Sequence, residues 1–171
     1  MNYLNIDQDK IESVVDELNI LLADHHIYYQ NLRTFHWNIL GKNFFDLHQR
    51  FEHLYNEARI KIDELAERIL TLRYHPLSKG SQYLEMTSIK EVDIIVDDSQ
   101  MVKIILENHK ILLMQMSAVL KVAEEAGDEG TIDLIGAYIR ELEKESWMLN
   151  AWNQKTDEEL HISKMPTKKK K

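Results

Sequence analysis

A chain of 171 residues is long enough to bury a substantial core in one domain. Its formal net charge of −8 argues against the body of the protein as a nucleic-acid binder, and the lack of cysteine excludes disulfides and thiolate metal sites. No apolar run reaches the roughly 18 residues of a membrane span. The N-terminus has no basic stretch leading into an apolar one, so no signal peptide and a soluble, cytoplasmic protein are expected.

Five glycines and two prolines leave little turn material, so the composition favours long helices. Across residues 7–40, Ile11, Val14, Val15, Leu18, Leu21, Leu22, Ile27, Leu32 and Phe35 recur at helical spacing and predict a first long helix. Gly41 stands where a helix ends, and Asn43 with Asp46 resembles a capping box for the next. That second helix covers residues 44–72, with a core stripe of Phe44, Leu47, Phe51, Leu54, Tyr55, Ala58, Ile62, Leu65 and Ile69. Residues 73–98 break the pattern and predict a long crossover with a short helix over 81–86. Ser99 is a candidate cap for a third long helix that runs to residue 126. Its core set includes Met101, Met114 and Met116. Gly127 to Gly130 form a turn, and a last helix over 131–154 carries Leu134, Ile135, Tyr138, Leu142, Trp147, Leu149 and Trp152. Two long hairpins joined by one crossover predict an all-α, ferritin-like four-helix bundle over residues 1–154, followed by a mobile, lysine-rich tail over 155–171.

The second helix carries ligand-type residues in a definite pattern. His48 and Glu52 are one turn apart, as are Asp63 and Glu67, so all four share one face. Yet Glu52 and Asp63 are separated by about 16 Å at about 1.5 Å per residue, too far to serve one ion on one helix. The four positions are palindromic about the point between Glu57 and Ala58. An antiparallel copy crossing there sets His48 near the partner's Glu67 and Glu52 near the partner's Asp63, the self-complementary arrangement of a twofold dimer. A hairpin centred on Gly41, Lys42 and Asn43 brings His36 level with His48. The spacing therefore predicts two identical intersubunit metal sites, each with two histidines and three carboxylates, beside the bundle core. Such donors suit iron.

His36-Trp37, Gly41-Lys42-Asn43-Phe44, Leu47-His48, Phe51-Glu52, Leu54-Tyr55 and Ile62-Asp63 with Leu65-Ala66-Glu67-Arg68 together resemble the Dps family, the DNA-binding proteins from starved cells. This is the small dodecameric branch of the ferritin-like superfamily. The Gly127-Asp128 turn and Trp147-Met148 also look like family positions, so the likeness covers nearly the whole chain. It implies a hollow homododecamer that oxidises Fe(II) with hydrogen peroxide, or dioxygen, at sites of two irons, stores Fe(III) mineral and protects DNA from oxidative damage. It also implies that His36, His48 and Glu52 come from one subunit and Asp63 and Glu67 from its twofold mate. Many members carry aspartate where this chain has Glu52. A ferritin of the usual kind carries Glu-x-x-His pairs aimed into its own bundle; the one such spacing here, Glu158 to His161, falls in the tail.

Other features keep two readings each. Trp37 is either a nearby one-electron donor or ordinary packing. Glu124, Asp128, Glu129 and Asp133 are either a solvated helix junction or the lining of a threefold pore that focuses Fe(II) inward. Lys164, Lys168, Lys169, Lys170 and Lys171 either solubilise the terminus or bind DNA as one of many basic arms, which would place the protein at the nucleoid and make ferroxidation secondary. His25, His26, His53 and His109 are expected to be structural or surface residues.

Overall fold

The computed structural model describes residues 8–154; the lysine tail and the first seven residues lie outside them. Helices α1 (Gln8–Asn38) and α2 (Phe44–Thr71) form one antiparallel hairpin, and α4 (Asp98–Ala126) and α5 (Glu129–Asn153) the other. The short α3 (Gly80–Met86) rides on α1 within the crossover. Helix α1 packs on α2 and α4, and α4 on α5, as the apolar stripes require. Phe35, Phe51, Leu18, Leu32, Leu65, Ile69, Met101 and Leu112 are fully buried along this seam. Each such side chain contributes roughly 1.5–3 kcal/mol of burial.

The helix ends show where local sequence was a poor guide. Asn43 makes no cap bond to α2; its Nδ2 donates to Asp98 Oδ2 at 2.6 Å, tying the α1–α2 turn to the start of α4. The expected capping box is therefore absent. Asp97, not Ser99, caps α4, its Oδ1 accepting from Gln100 N at 2.7 Å. Helix α5 begins two residues earlier than expected because Asp128 is its cap, accepting from Thr131 N at 3.1 Å. Gly127, at φ +69°, closes α4 with the paired bonds of a Schellman motif: Gly127 N to Glu124 O at 3.2 Å and Asp128 N to Ala123 O at 2.9 Å. Arg73 does the same for α2 at φ +75°, a conformation usually left to glycine.

Three polar side chains on α1 hold the crossover in place. Asn19 Oδ1 accepts from Leu77 N at 2.9 Å, Asp24 Oδ1 from Ser88 N at 2.6 Å, and Asn31 Oδ1 from Val92 N at 3.2 Å while its Nδ2 donates to Lys90 O at 2.9 Å. His26 stacks on Tyr83 of α3 with centroids 3.8 Å apart. Burial raises the Asp24 carboxyl above its usual range, against the bonds it accepts. Three expected core residues of α4 and α5 are not in the core of the single chain: Met114 is 66%, Trp147 61% and Trp152 37% exposed. Their neighbours Met116 and Leu149 take the inward positions.

Candidate metal centre

His36 sits in the last turn of α1 and His48 early in α2, on either side of the turn at Gly41, which adopts φ +100°. The two rings stack, with centroids 3.8 Å apart and planes at 24°. His36 Nδ1 donates to the backbone oxygen of His48 at 2.8 Å, and His48 Nδ1 donates to the backbone oxygen of His36 at 2.9 Å. A carbonyl can only accept, so both Nδ1 atoms carry a proton, and in the neutral form of each ring Nε2 keeps the lone pair. Neither Nε2 has a hydrogen bond among the described residues. Two stacked rings with Nε2 atoms free of hydrogen bonds, each fixed in direction by its Nδ1 bond, are an arrangement that could hold a metal ion.

Phe44 extends the stack on the other side of His48, at 4.8 Å, and Tyr55 meets His36 edge-on at 5.3 Å. Glu52, one turn after His48, is exposed, and its Oε1 accepts from Tyr55 Oη at 3.2 Å. The stripe thus brings His36, His48 and Glu52 to one end of α2. Asp63 and Glu67 are also exposed, but further along the same helix. Among the described residues of the single chain, no three metal-binding side chains converge. Trp37 is 59% exposed and stacks on the Arg33 guanidinium at 4.6 Å.

The bundle interior is a different environment. A cavity of about 260 Å³ opens between α2 and α5, lined by His25, Tyr28, Leu54, Lys61, Met116 and Glu141 among others. Its carboxylates have cationic partners: Lys61 lies 2.8 Å from Glu141 and 3.7 Å from Glu57, and Arg50 pairs with Glu145. Anions already neutralised by arginine and lysine do not attract a further cation. His25 and His109 are buried and held neutral, with pKa values lowered to about 4 and about 3 by desolvation. His109 accepts from Tyr28 Oη at 2.7 Å and donates to Ser146 Oγ at 2.8 Å; the serine in turn donates to Leu142 O. These histidines are structural.

The acidic junction divides. Glu124, Glu129 and Asp133 are exposed at one end of the bundle. Asp128 is fully buried, paired with Arg68 and bonded to Thr131 Oγ1 at 2.6 Å. Asp128 therefore does not line a solvent pore, because its charge is consumed in capping α5 and fixing it to α2. No local pattern signals this, since Arg68 lies 60 residues from Asp128 along the chain. Tyr55 belongs to the apolar stripe of α2 and also reaches Glu52, as its position three residues further along the helix allows.

A family model described as a ferritin-like domain matches residues 15–158. The DNA protection during starvation protein of Porphyromonas gingivalis is 41% identical over 148 residues, 86% of this chain and 93% of that one. The chain belongs to the Dps family. Solved Dps structures agree with the fold. A Dps protein from Vibrio cholerae O1, described as a member of a broad superfamily of ferritin-like diiron-carboxylate proteins, superimposes with a TM-score of 0.87 at 44% identity, covering 90% of this chain and 97% of that one. A Dps protein from Bacillus brevis gives 0.83 at 38% identity, covering 85% and 98%. No helix among the described residues is long and apolar enough to cross a membrane.

Proposed function

We propose that this Dps-family chain is an iron-oxidising storage protein whose ferroxidase sites form between twofold-related subunits of a hollow dodecamer. The observation that carries the reading is the reciprocally locked pair His36 and His48, with Glu52 one turn further along α2 and, among the described residues, no group of three metal-binding side chains that converges within the single chain. Imidazole and carboxylate donors without thiolate fit Fe(II), which is the substrate. In a second copy crossing α2 antiparallel, Asp63 and Glu67 complete the set, giving five ligands for two irons. Exposed Ile60, one turn before Asp63, and exposed Trp37 and Phe45 supply apolar surface for such a contact.

The residues divide the work. His36 and His48 offer their Nε2 atoms to the ion, their Nδ1 atoms being held by backbone carbonyls. Glu52, Asp63 and Glu67 offset the charge that grows when Fe(II) becomes Fe(III). Two irons held together pass two electrons to one hydrogen peroxide, so that no hydroxyl radical is released. Oxidised iron then moves to the shell interior, and exposed Glu124, Glu129 and Asp133 favour cation entry at the α4–α5 junction. Anaerobic Fe(II) titration followed by peroxide, on wild type and on a His36→Ala/His48→Ala variant, tests this reading. Equal oxidation rates would sink it.

A second activity is DNA binding through the lysines at 164 and 168–171, which lie outside the described residues. The relatives' name for DNA protection and the five tail lysines support it. An acidic body requires that binding come from many such arms together.

A further inference from the structure

We propose that the cavity between α2 and α5 binds a small uncharged molecule of the phenol class, with His25 as the acceptor for its hydroxyl. The cavity has a structural cause. Three polar pairs span the two helices: Arg50 with Glu145, Lys61 with Glu141, and Glu64 with the hydroxyl of Tyr138. Pairs that meet through long side chains hold helices further apart than the roughly 8–10 Å of ridge-into-groove packing. The space behind them, about 260 Å³, is floored by Leu54, Ala58, Leu112, Met116 and Leu142, all buried. A cavity of about 150 Å³ with aliphatic walls is enough to hold a benzene ring.

His25 supplies the polar contact. It lines the cavity from α1 and is 2% exposed. Its Nδ1 donates to Leu21 O at 2.9 Å, one turn back in its own helix. Nε2 is then the acceptor of the neutral ring, and no hydrogen bond reaches it among the described residues. A buried acceptor without a donor is unfavourable, and a ligand hydroxyl removes that cost. Other polar groups on the wall are committed: Tyr28 Oη donates to His109 Nε2 at 2.7 Å, and Lys61 lies 2.8 Å from Glu141 and 3.7 Å from Glu57. The lysine disfavours a bound cation and the carboxylates disfavour an anion, so the ligand is uncharged. Water gains nothing from the aliphatic floor, whereas an aromatic ring buries its whole face there. His53, Glu57 and Lys61 edge the cavity as one row on α2. The centre of that row lies roughly 130° round the helix from the centre of the row His48, Glu52, Asp63 and Glu67. The twofold contact proposed above thus uses a different side of α2, and the inference does not depend on it.

Calorimetric titration of the assembled protein with phenol and with toluene, together with crystals soaked in 4-bromophenol, tests the assignment. Toluene fills the same volume without a donor. The expected result is saturable phenol binding in solution. In the crystal, the anomalous bromine peak should lie between α2 and α5, with the phenol oxygen within hydrogen-bond distance of His25 Nε2. His25→Phe keeps the ring and removes the acceptor, so the ratio of phenol to toluene affinity should fall about five- to tenfold; taking the ratio cancels the cost of drying the hydroxyl. Ala58→Leu, which fills the floor, should weaken both ligands. An unchanged ratio in His25→Phe overturns the proposal, as does bromine bound elsewhere, or phenol that binds at crystal concentration only. The soaked wild-type crystals and the wild-type titration decide the matter even if neither variant folds. Fe(II) oxidation by the same preparation is a separate measurement, so failure here leaves the ferroxidase reading standing.

Discussion

His36 and His48 lock each other, each Nδ1 donating to the other's backbone carbonyl at 2.8 and 2.9 Å. The pair thus serves two ends at once. It staples the α1–α2 hairpin at its turn, and it leaves both Nε2 atoms as acceptors with no rotation required. Pre-organised ligands bind an ion without first losing side-chain freedom.

Loss of these rings should be severe for chemistry. His36→Ala or His48→Ala is expected to slow peroxide-driven Fe(II) oxidation by at least about tenfold to a hundredfold, since even partners outside the ligand shell cost that much. Stopped-flow absorbance measures it. Glu52→Asp keeps the charge, so its effect should be smaller than that of Glu52→Ala.

Subunit mixing tests the intersubunit geometry directly. A His36→Ala/His48→Ala subunit and an Asp63→Ala/Glu67→Ala subunit each make dead homodimers. In the mixed dimer one site keeps all five ligands and the other only Glu52. Co-assembly at equal amounts should therefore restore about a quarter of wild-type site activity by random pairing. No recovery would mean that the ligands act within one chain.

The acidic junction gives a contrast between neighbours. Asp128→Ala leaves Arg68 without its buried partner and α5 without its cap, and should lower stability by about 2–4 kcal/mol in chemical denaturation. Glu129→Lys with Asp133→Lys should leave stability nearly unchanged and slow iron uptake at low salt. That slowing should fade as ionic strength rises. Uptake that ignores these charges would remove the entry role.

Acid should unfold the protein partly through two histidines. The folded pKa values of His25 and His109, about 4 and about 3, lie below the ordinary value of 6.5, so the unfolded chain binds more protons between these limits. Their contribution is complete above about pH 6.5 and is lost as pH falls towards pH 4 and 3, at about 1.4 kcal/mol per pH unit for each group. His109→Gln should flatten this dependence in denaturant titrations run between pH 4 and 7.

Removal of residues 164–171 addresses DNA binding. If the tail lysines carry it, the gel shift of the full-length shell should weaken steeply with salt and vanish in the truncated one. A shift that survives truncation would place the DNA contact elsewhere.

Much of this protein was legible without coordinates. The apolar periodicity of Ile11 to Phe35 and of Phe44 to Ile69 is local, repeating within each turn, and it determined the long helices and their buried faces. The one-turn spacing of His48 with Glu52 and of Asp63 with Glu67 likewise follows from helical geometry alone. What only the tertiary structure decided depends on partners far apart in the chain. Arg68 turned Asp128 from a pore candidate into a buried cap, and Asp98 drew Asn43 away from the cap it was expected to form. Helix packing left Met114 and Trp147 on the surface of the single chain. The same folding set which ring nitrogen of His36 and of His48 donates, because each depends on a carbonyl twelve residues away on the other helix of the hairpin.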